Sequence, residues 1–366
     1  MQSKYLDIEK KVERGERLTY EDGVALFAAH DIAWLGALAD HVRAEKCGDI
    51  VYYNVNCHVN LTNICMAHCK FCAFGRDAED AGAYEMSASE AVAHVAEAMH
   101  DPHLAGLHVV SGLHPTWTFD DYLLRLRALH EAFPSLYLKG FTGVEITHFA
   151  HTSGLSVREV LLRLRAAGLQ SIAGGGAEIL SDRVRGELCP NKATADEWLA
   201  VARTAHELGI RTNASMMYGH IETVEERIDH LLALRDLQDE TGGFQAFMLF
   251  PFHPENTVLG AEKKLVRVGS WEDMKMLALS RLVLDNVAHV KAFWVMLTQP
   301  IAQLALGFGA DDLDGTIGEE KIIHAAGAQT QTGITRRELD AMIREAGYVP
   351  VERDTFYQPI AAGEGA

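Results

Sequence analysis

Short apolar runs alternate along this chain with longer stretches whose apolar residues recur at helical spacing. The runs are Leu107–Val110, Leu136–Leu138, Gln170–Ile172, Arg211–Ala214 and Phe244–Leu249. The last is nearly continuous, as expected of a strand buried on both faces. The helical stripes include Tyr122, Leu123, Leu126, Leu129 and Phe133, then Val157, Val160, Leu161 and Leu164, then Ile228, Leu231 and Leu232. Start signals precede the helices. Ser87-x-x-Glu90, Ser156-x-x-Glu159, Thr194-x-x-Glu197 and Thr223-x-x-Glu226 read as capping boxes, in which two side chains satisfy orphan backbone N–H groups. Thr118 begins another helix, and Gly168, Gly209 and Gly242 stand where C-terminal caps belong. The unit recurs every roughly 35–40 residues, which argues parallel βα units in an open sheet or a barrel. In a barrel, chemistry collects at the C-terminal ends of the strands.

Residues 1–50 read as a helical accessory segment, 51–300 as the barrel core and 301–366 as a C-terminal accessory segment, within one integrated domain. Ser270 to Asn286 is a helix, Lys291–Leu297 a late strand, and Thr335-x-x-Glu338 opens a final helix ending near Gly347. The 366 residues and 48% hydrophobic content suit one α/β barrel. No apolar run reaches the roughly 18–20 residues of a membrane span, and Met1 to Arg17 lacks the apolar stretch of a signal peptide. A soluble cytoplasmic protein without a membrane partner is expected. The net charge of −18 counts against nucleic acid and other polyanions. A few local cations can still hold a small anionic substrate.

Six cysteines are present, three of them in VNLTNICMAHCKFCAF (Val59 to Phe74) as Cys65-x3-Cys69-x2-Cys72. Three thiolates within eight residues can converge on one cluster from a single loop. A 4Fe–4S cluster usually takes four thiolates, so three leave one iron open to an exogenous ligand. A structural zinc site is the other reading, with His68 or Cys57 as fourth ligand.

The triad resembles that of the radical S-adenosylmethionine (SAM) superfamily, in which the amino and carboxylate groups of SAM fill the open position. The remainder resembles its menaquinone-biosynthesis branch, the aminofutalosine synthases of the futalosine pathway, over nearly the whole chain. The strings that carry this are SGLHP (Ser111–Pro115), GGGAEI (Gly174–Ile179), CPNK (Cys189–Lys192), YGHIET (Tyr218–Thr223), RDLQDETGGFQAF (Arg235–Phe247), FHPENT (Phe252–Thr257) and GADDLDGT (Gly309–Thr316), the last followed by Glu319, Glu320 and Lys321. Several are shared with the cyclic dehypoxanthine futalosine synthase and the deazaflavin-synthase subunits. FHPENT and GADDLDGT look more like the aminofutalosine enzyme. The resemblance implies a radical SAM (βα) TIM-type barrel acting as a C–C bond-forming transferase. A 5′-deoxyadenosyl radical adds to the vinyl carbon of 3-[(1-carboxyvinyl)oxy]benzoate. Rearrangement and loss of a carboxylate then give 6-amino-6-deoxyfutalosine and methionine. In the cyclase sibling the radical instead abstracts hydrogen and leaves as deoxyadenosine. A flavodoxin or ferredoxin is the implied one-electron donor.

Further residues at strand ends take roles from this resemblance. Ser111 and Gly112 replace the Gly-Gly of a common Gly-Gly-Glu and offer backbone to SAM. Glu145 is a candidate acceptor for ribose hydroxyls or the SAM ammonium. Gly174, Gly175 and Gly176 form a candidate anion nest, and Glu178 beside them could orient a cation. Ser215, Met217, Gly219 and Glu222 resemble the motif that supports adenine, with Glu222 bracing the loop. His220 between them is a candidate general acid or base. The substrate is a small dicarboxylate, so cations are needed. Lys139, Lys192, Arg211 and Arg281 are candidates, and His253, Glu255 and Asn256 should face the barrel mouth.

Overall fold

The capping boxes at Ser87, Ser156, Thr194, Thr223 and Thr335 all form, each hydroxyl accepting from the N3 backbone N–H. The helices they open are Ala88–Ala98, Val157–Ala166, Ala195–Glu207, Val224–Thr241 and Arg336–Glu345. In this computed structural model the described residues are 2–101, 103–316 and 320–360. Three helices, Gln2–Glu13, Tyr20–Phe27 and Ile32–Cys47, precede the first strand.

The strands are β1 (Ile50–Asn54), β2 (Asn56–Asn60), β3 (Gly106–Val110), β4 (Tyr137–Gly140), β5 (Ser171–Ile172), β6 (Arg211–Tyr218), β7 (Phe244–Pro251), β8 (His289–Lys291), β9 (Asp312–Gly315) and β10 (Val349–Glu352). Every neighbouring pair is parallel, in the order β10-β1-β9-β8-β7-β6-β5-β4-β3-β2. β1 and β2 are separated by Val55 alone, yet β1 pairs with β9 while β2 pairs with β3. Asn54 O accepts from Thr316 N (3.1 Å) and Val55 O from Ala105 N (3.0 Å). The segment Ile50–Asn60 therefore joins both ends of the strand order and closes the sheet into a ring with β3 to β9. β10 adds to β1 from outside the ring.

Apolar side chains fill the layer between sheet and helices. Val59, Leu107 and Val109 pack with Leu126, Leu129 and Phe149, and Phe247 and Leu249 with Leu231, Leu234 and Leu277. Each such side chain contributes about 1.5–3 kcal/mol of transfer free energy.

Two boundaries differ from expectation. Lys291–Leu297 is not one strand: pairing stops at Lys291, and Trp294–Leu297 turns helical, with Trp294 Nε1 donating to Gly315 O (2.9 Å). β9 belongs to the same sheet although it lies beyond residue 300.

Candidate active site

The cysteine loop begins where β2 ends, at the C-terminal rim. Its backbone is held on several sides. Met66 N donates to Leu113 O (2.9 Å), Cys65 N to Arg76 O (3.0 Å), Lys70 N to Leu188 O (2.9 Å), and Leu259 N to Lys70 O (2.8 Å). Cys65, Cys69 and Cys72 are unpaired thiols, each half-buried. Leu113 N donates to Cys65 Sγ (3.3 Å), as suits a sulfur that will carry negative charge. Gly75 lies between two of them: a Cβ there would sit 3.7 Å from Cys65 Cβ and 4.0 Å from Cys72 Sγ. At Gly112 a Cβ would sit 2.5 Å from Ile64 O and 3.1 Å from Cys65 Cβ. Only glycine lets the end of β3 approach the loop so closely.

This donor set fits an iron–sulfur cluster better than one zinc ion. Zn–S bonds of about 2.3 Å in a tetrahedron put sulfurs roughly 3.8 Å apart. Among the described residues, the group of three ligand atoms within 4.8 Å of one another is Cys47, His289 and Asp311, so the triad sulfurs spread wider. The proposed fourth zinc ligands lie elsewhere. Cys57 is buried in the outer apolar layer. His68 is more than half exposed and faces Asp77 at 3.6 Å.

Around the loop, the rim residues divide into those that face the site and those that brace it. Glu178 lies at the loop's side, its Oε1 accepting from Lys192 Nζ (2.8 Å). Lys192 sits 4.9 Å above the Phe71 ring. Burial pushes the Cys69 thiol up to about 12, with Lys192 pulling it back. The N–H groups of Gly174, Gly175 and Gly176 meet no acceptor among the described residues. A Cβ at Gly174 would lie 2.7 Å from the Asn213 backbone, so glycine is required there. Ser215 Oγ donates to Gly174 O (2.6 Å), and Met217 is buried beside it on β6.

Other predicted ligands turn inward to the chain itself. Glu145 is not in a loop. It is the N3 residue of a capping box with Thr142, opening the helix Gly143–Ser153. It is 3% exposed, and its oxygens accept from Ser111 N (2.8 Å) and Thr142 N (2.7 Å). Burial pushes its carboxyl up to about 7. It holds the Ser111 backbone from behind. Ser111 Oγ is buried without a partner. Glu222 accepts from Gly219 N (2.6 Å), His220 N (2.9 Å) and Arg227 Nε (2.7 Å). These contacts outweigh its burial and bring it down to about 2. His220 has both ring nitrogens engaged, Nδ1 at 2.8 Å from Glu222 and Nε2 at 3.1 Å from Met217 O, so it braces the loop.

Arg211 and Arg281 lie away from the C-terminal rim. Arg211 is exposed at the first residue of β6, the wrong end of a parallel strand. Arg281 is fully buried near the start of β9, donating to Gly309 O (2.7 Å) and to Asp311. Asp311 also takes His289 and the Cys47 thiol, which makes that trio a charge-balanced cluster around Arg281. His253 is buried past β7, with Nε2 at 3.1 Å from Met296 O. Glu255 and Asn256 are exposed, and Asn256 Nδ2 donates to Ala325 O (3.0 Å), which ties this loop to the C-terminal segment. Glu319 lies outside the described residues.

Below the rim, the barrel interior is polar where such barrels are usually packed with Val, Ile and Leu. Asn54, Asn56, His108, Lys139, Asn213, Lys291 and Asp314 line a small cavity of about 20 Å³, room for about one water. Buried atoms without hydrogen-bond partners include Asn54 Oδ1, Asn56 Oδ1, His58 Nε2, Asn60 Nδ2, Ser171 Oγ and Asn213 Oδ1. Buried polar groups are normally satisfied, so such a set marks a place where water or a ligand belongs. Among them Lys139 carries a sequence signal, a cation at a strand end.

A three-thiol loop at the C-terminal rim of a parallel barrel defines a radical SAM enzyme. Residues 59–234 match the Radical SAM superfamily, and residues 241–364 match the CofH/MqnC C-terminal region. The chain is 46% identical over 357 residues to the aminodeoxyfutalosine synthase of Thermus thermophilus, covering 97% of this chain and 95% of that one. The Streptomyces coelicolor protein of the same name is 45% identical over 369 residues, covering 98% and 95%. The chain belongs to the aminodeoxyfutalosine synthase family of the radical SAM superfamily. Membership implies SAM and a 4Fe–4S cluster. The crystal structure of methylornithine synthase shares the fold with a TM-score of 0.72 at 17% identity, covering 94% of this chain and 97% of that one.

Proposed function

We propose that this chain joins the deoxyadenosyl group of SAM to 3-[(1-carboxyvinyl)oxy]benzoate, yielding 6-amino-6-deoxyfutalosine and methionine with loss of one carboxylate. The observation that carries this reading is a three-thiol loop opening onto a barrel interior with unsatisfied polar groups. When bound, the cluster and SAM together supply a 5′-deoxyadenosyl radical.

The chain's own residues prepare the place. Cys65, Cys69 and Cys72 would hold the cluster, with Leu113 N donating to the first sulfur. Glu145 fixes the Ser111 backbone, and Glu222 fixes Gly219 and His220, so both rim segments present rigid backbone to a nucleoside. The three free glycine N–H groups suit the SAM carboxylate. The apolar layer outside the barrel keeps solvent from the interior. No described helix is long and apolar enough to cross a membrane. Six free cysteines suit a reducing compartment, the cytoplasm. A flavodoxin or ferredoxin is the proposed electron donor.

The test is anaerobic incubation of reduced enzyme with SAM and either the enol ether or dehypoxanthine futalosine, followed by mass spectrometry. An adduct retaining the adenosyl carbons, formed from the enol ether, supports the reading. Free deoxyadenosine formed one-to-one with a cyclised futalosine product would replace it with the sibling activity.

A further inference from the structure

The charges inside the barrel balance except for one. Lys291 Nζ pairs with Asp314 Oδ1 at 2.5 Å, and Arg353 Nε with Asp312 Oδ2 at 2.7 Å. His58 and His108 lie ring to ring at 4.8 Å, and burial holds both below their ordinary range, hence neutral. Lys139, on β4, lines the same cavity and has no carboxylate partner among the described residues. In a protein of net charge −18, this interior carries one uncompensated ammonium.

We propose that Lys139 is the counter-ion that seats one carboxylate of the substrate in the barrel interior. This identification of the anion rests on the function proposed above. An unpaired buried ammonium is costly, and selection for binding is a physical reason to keep it. The groups facing it are His58 on β2, His108 on β3, Lys291 on β8, Asp312 and Asp314 on β9, and Arg353 past β10. Burial first, then Lys291 and Arg353, bring its ammonium down to about 7. A bound carboxylate raises it again, so binding takes up a proton near neutrality and weakens as pH rises above 7.

The experiment compares reconstituted wild type, Lys139→Met and Lys139→Arg. Binding of 3-[(1-carboxyvinyl)oxy]benzoate is measured by calorimetry without reductant, turnover with it, and thermal unfolding with neither. Lys139→Met should raise KM and the dissociation constant roughly 10- to 100-fold, with iron content unchanged. Its melting temperature should stay level or rise, because a strained charge is gone. Lys139→Arg should recover much of the affinity. Wild-type KM should climb about tenfold per pH unit above pH 7, and that climb should vanish in the Arg variant. Wild-type affinity in Lys139→Met, or a lower melting temperature with unchanged KM, overturns the proposal. Wild type that binds the enol ether without turning it over defeats the functional reading alone. Wild type that does neither defeats both.

Discussion

Cys69 shows how a single residue depends on its surroundings. Burial makes its thiolate expensive, and Lys192 offsets this only in part, so bound metal is what makes the thiolate stable. Cys69→Ala should fold with an unchanged far-UV spectrum while losing cluster absorbance and turnover. Retained turnover would refute the assignment. Gly112→Ala forces a methyl against Ile64 O and should lower cluster incorporation several-fold while leaving the distant helices intact, read by iron analysis and circular dichroism. The triad was legible because its three members sit in one short loop, where spacing alone brings them together. Arg211 shows the opposite case. It opens an apolar run, and the first residue of a parallel strand lies at the end away from the chemistry. Charge type is legible in the sequence; position along the strand is not.

At the scale of elements, the helix Gly143–Ser153 carries the clearest lesson. Thr142 and Glu145 have the spacing of a capping box, the same signal that marks five other helices, and that box forms here. Its two oxygens stitch the new helix to the end of β3. Glu145→Ala strands the N–H groups of Ser111 and Thr142 and should cost about 1–3 kcal/mol, seen as a lower denaturation midpoint. Glu145→Gln keeps one acceptor, sets an amide N–H against the other backbone donor at a cost independent of pH, and removes a titration. The folded carboxyl titrates near 7 against an ordinary 4.5, so its stabilising share is complete below pH 4.5 and lost as pH rises through 7. The Gln variant should therefore gain on wild type between pH 5 and 8, by on the order of 2–3 kcal/mol.

For the whole molecule, the decisive fact is closure of the barrel through Ile50–Asn60. That segment alternates Asn54, Asn56, His58 and Asn60 with Val55, Cys57 and Val59. The period of two was legible, but it reads as an ordinary half-exposed strand until both edges are known to be paired. Closure turns the polar face inward. The same long-range pairing hid β9, a short run of Asp and Gly with little apolar character. Iron chelation should leave this ring folded and loosen only the loop it no longer serves. Amide exchange should speed up across residues 64–72 with little change in β3, β6 or β7.

The chemistry proposed for this chain requires an open-sited cluster at the triad. The direct measurement is electron paramagnetic resonance of the anaerobically reconstituted, reduced full chain, before and after SAM. A 4Fe–4S signal whose g-values shift on adding SAM, absent in Cys69→Ala, is the predicted result. Full-length protein with three intact cysteines that forms no such cluster, or whose cluster signal ignores SAM, would contradict it.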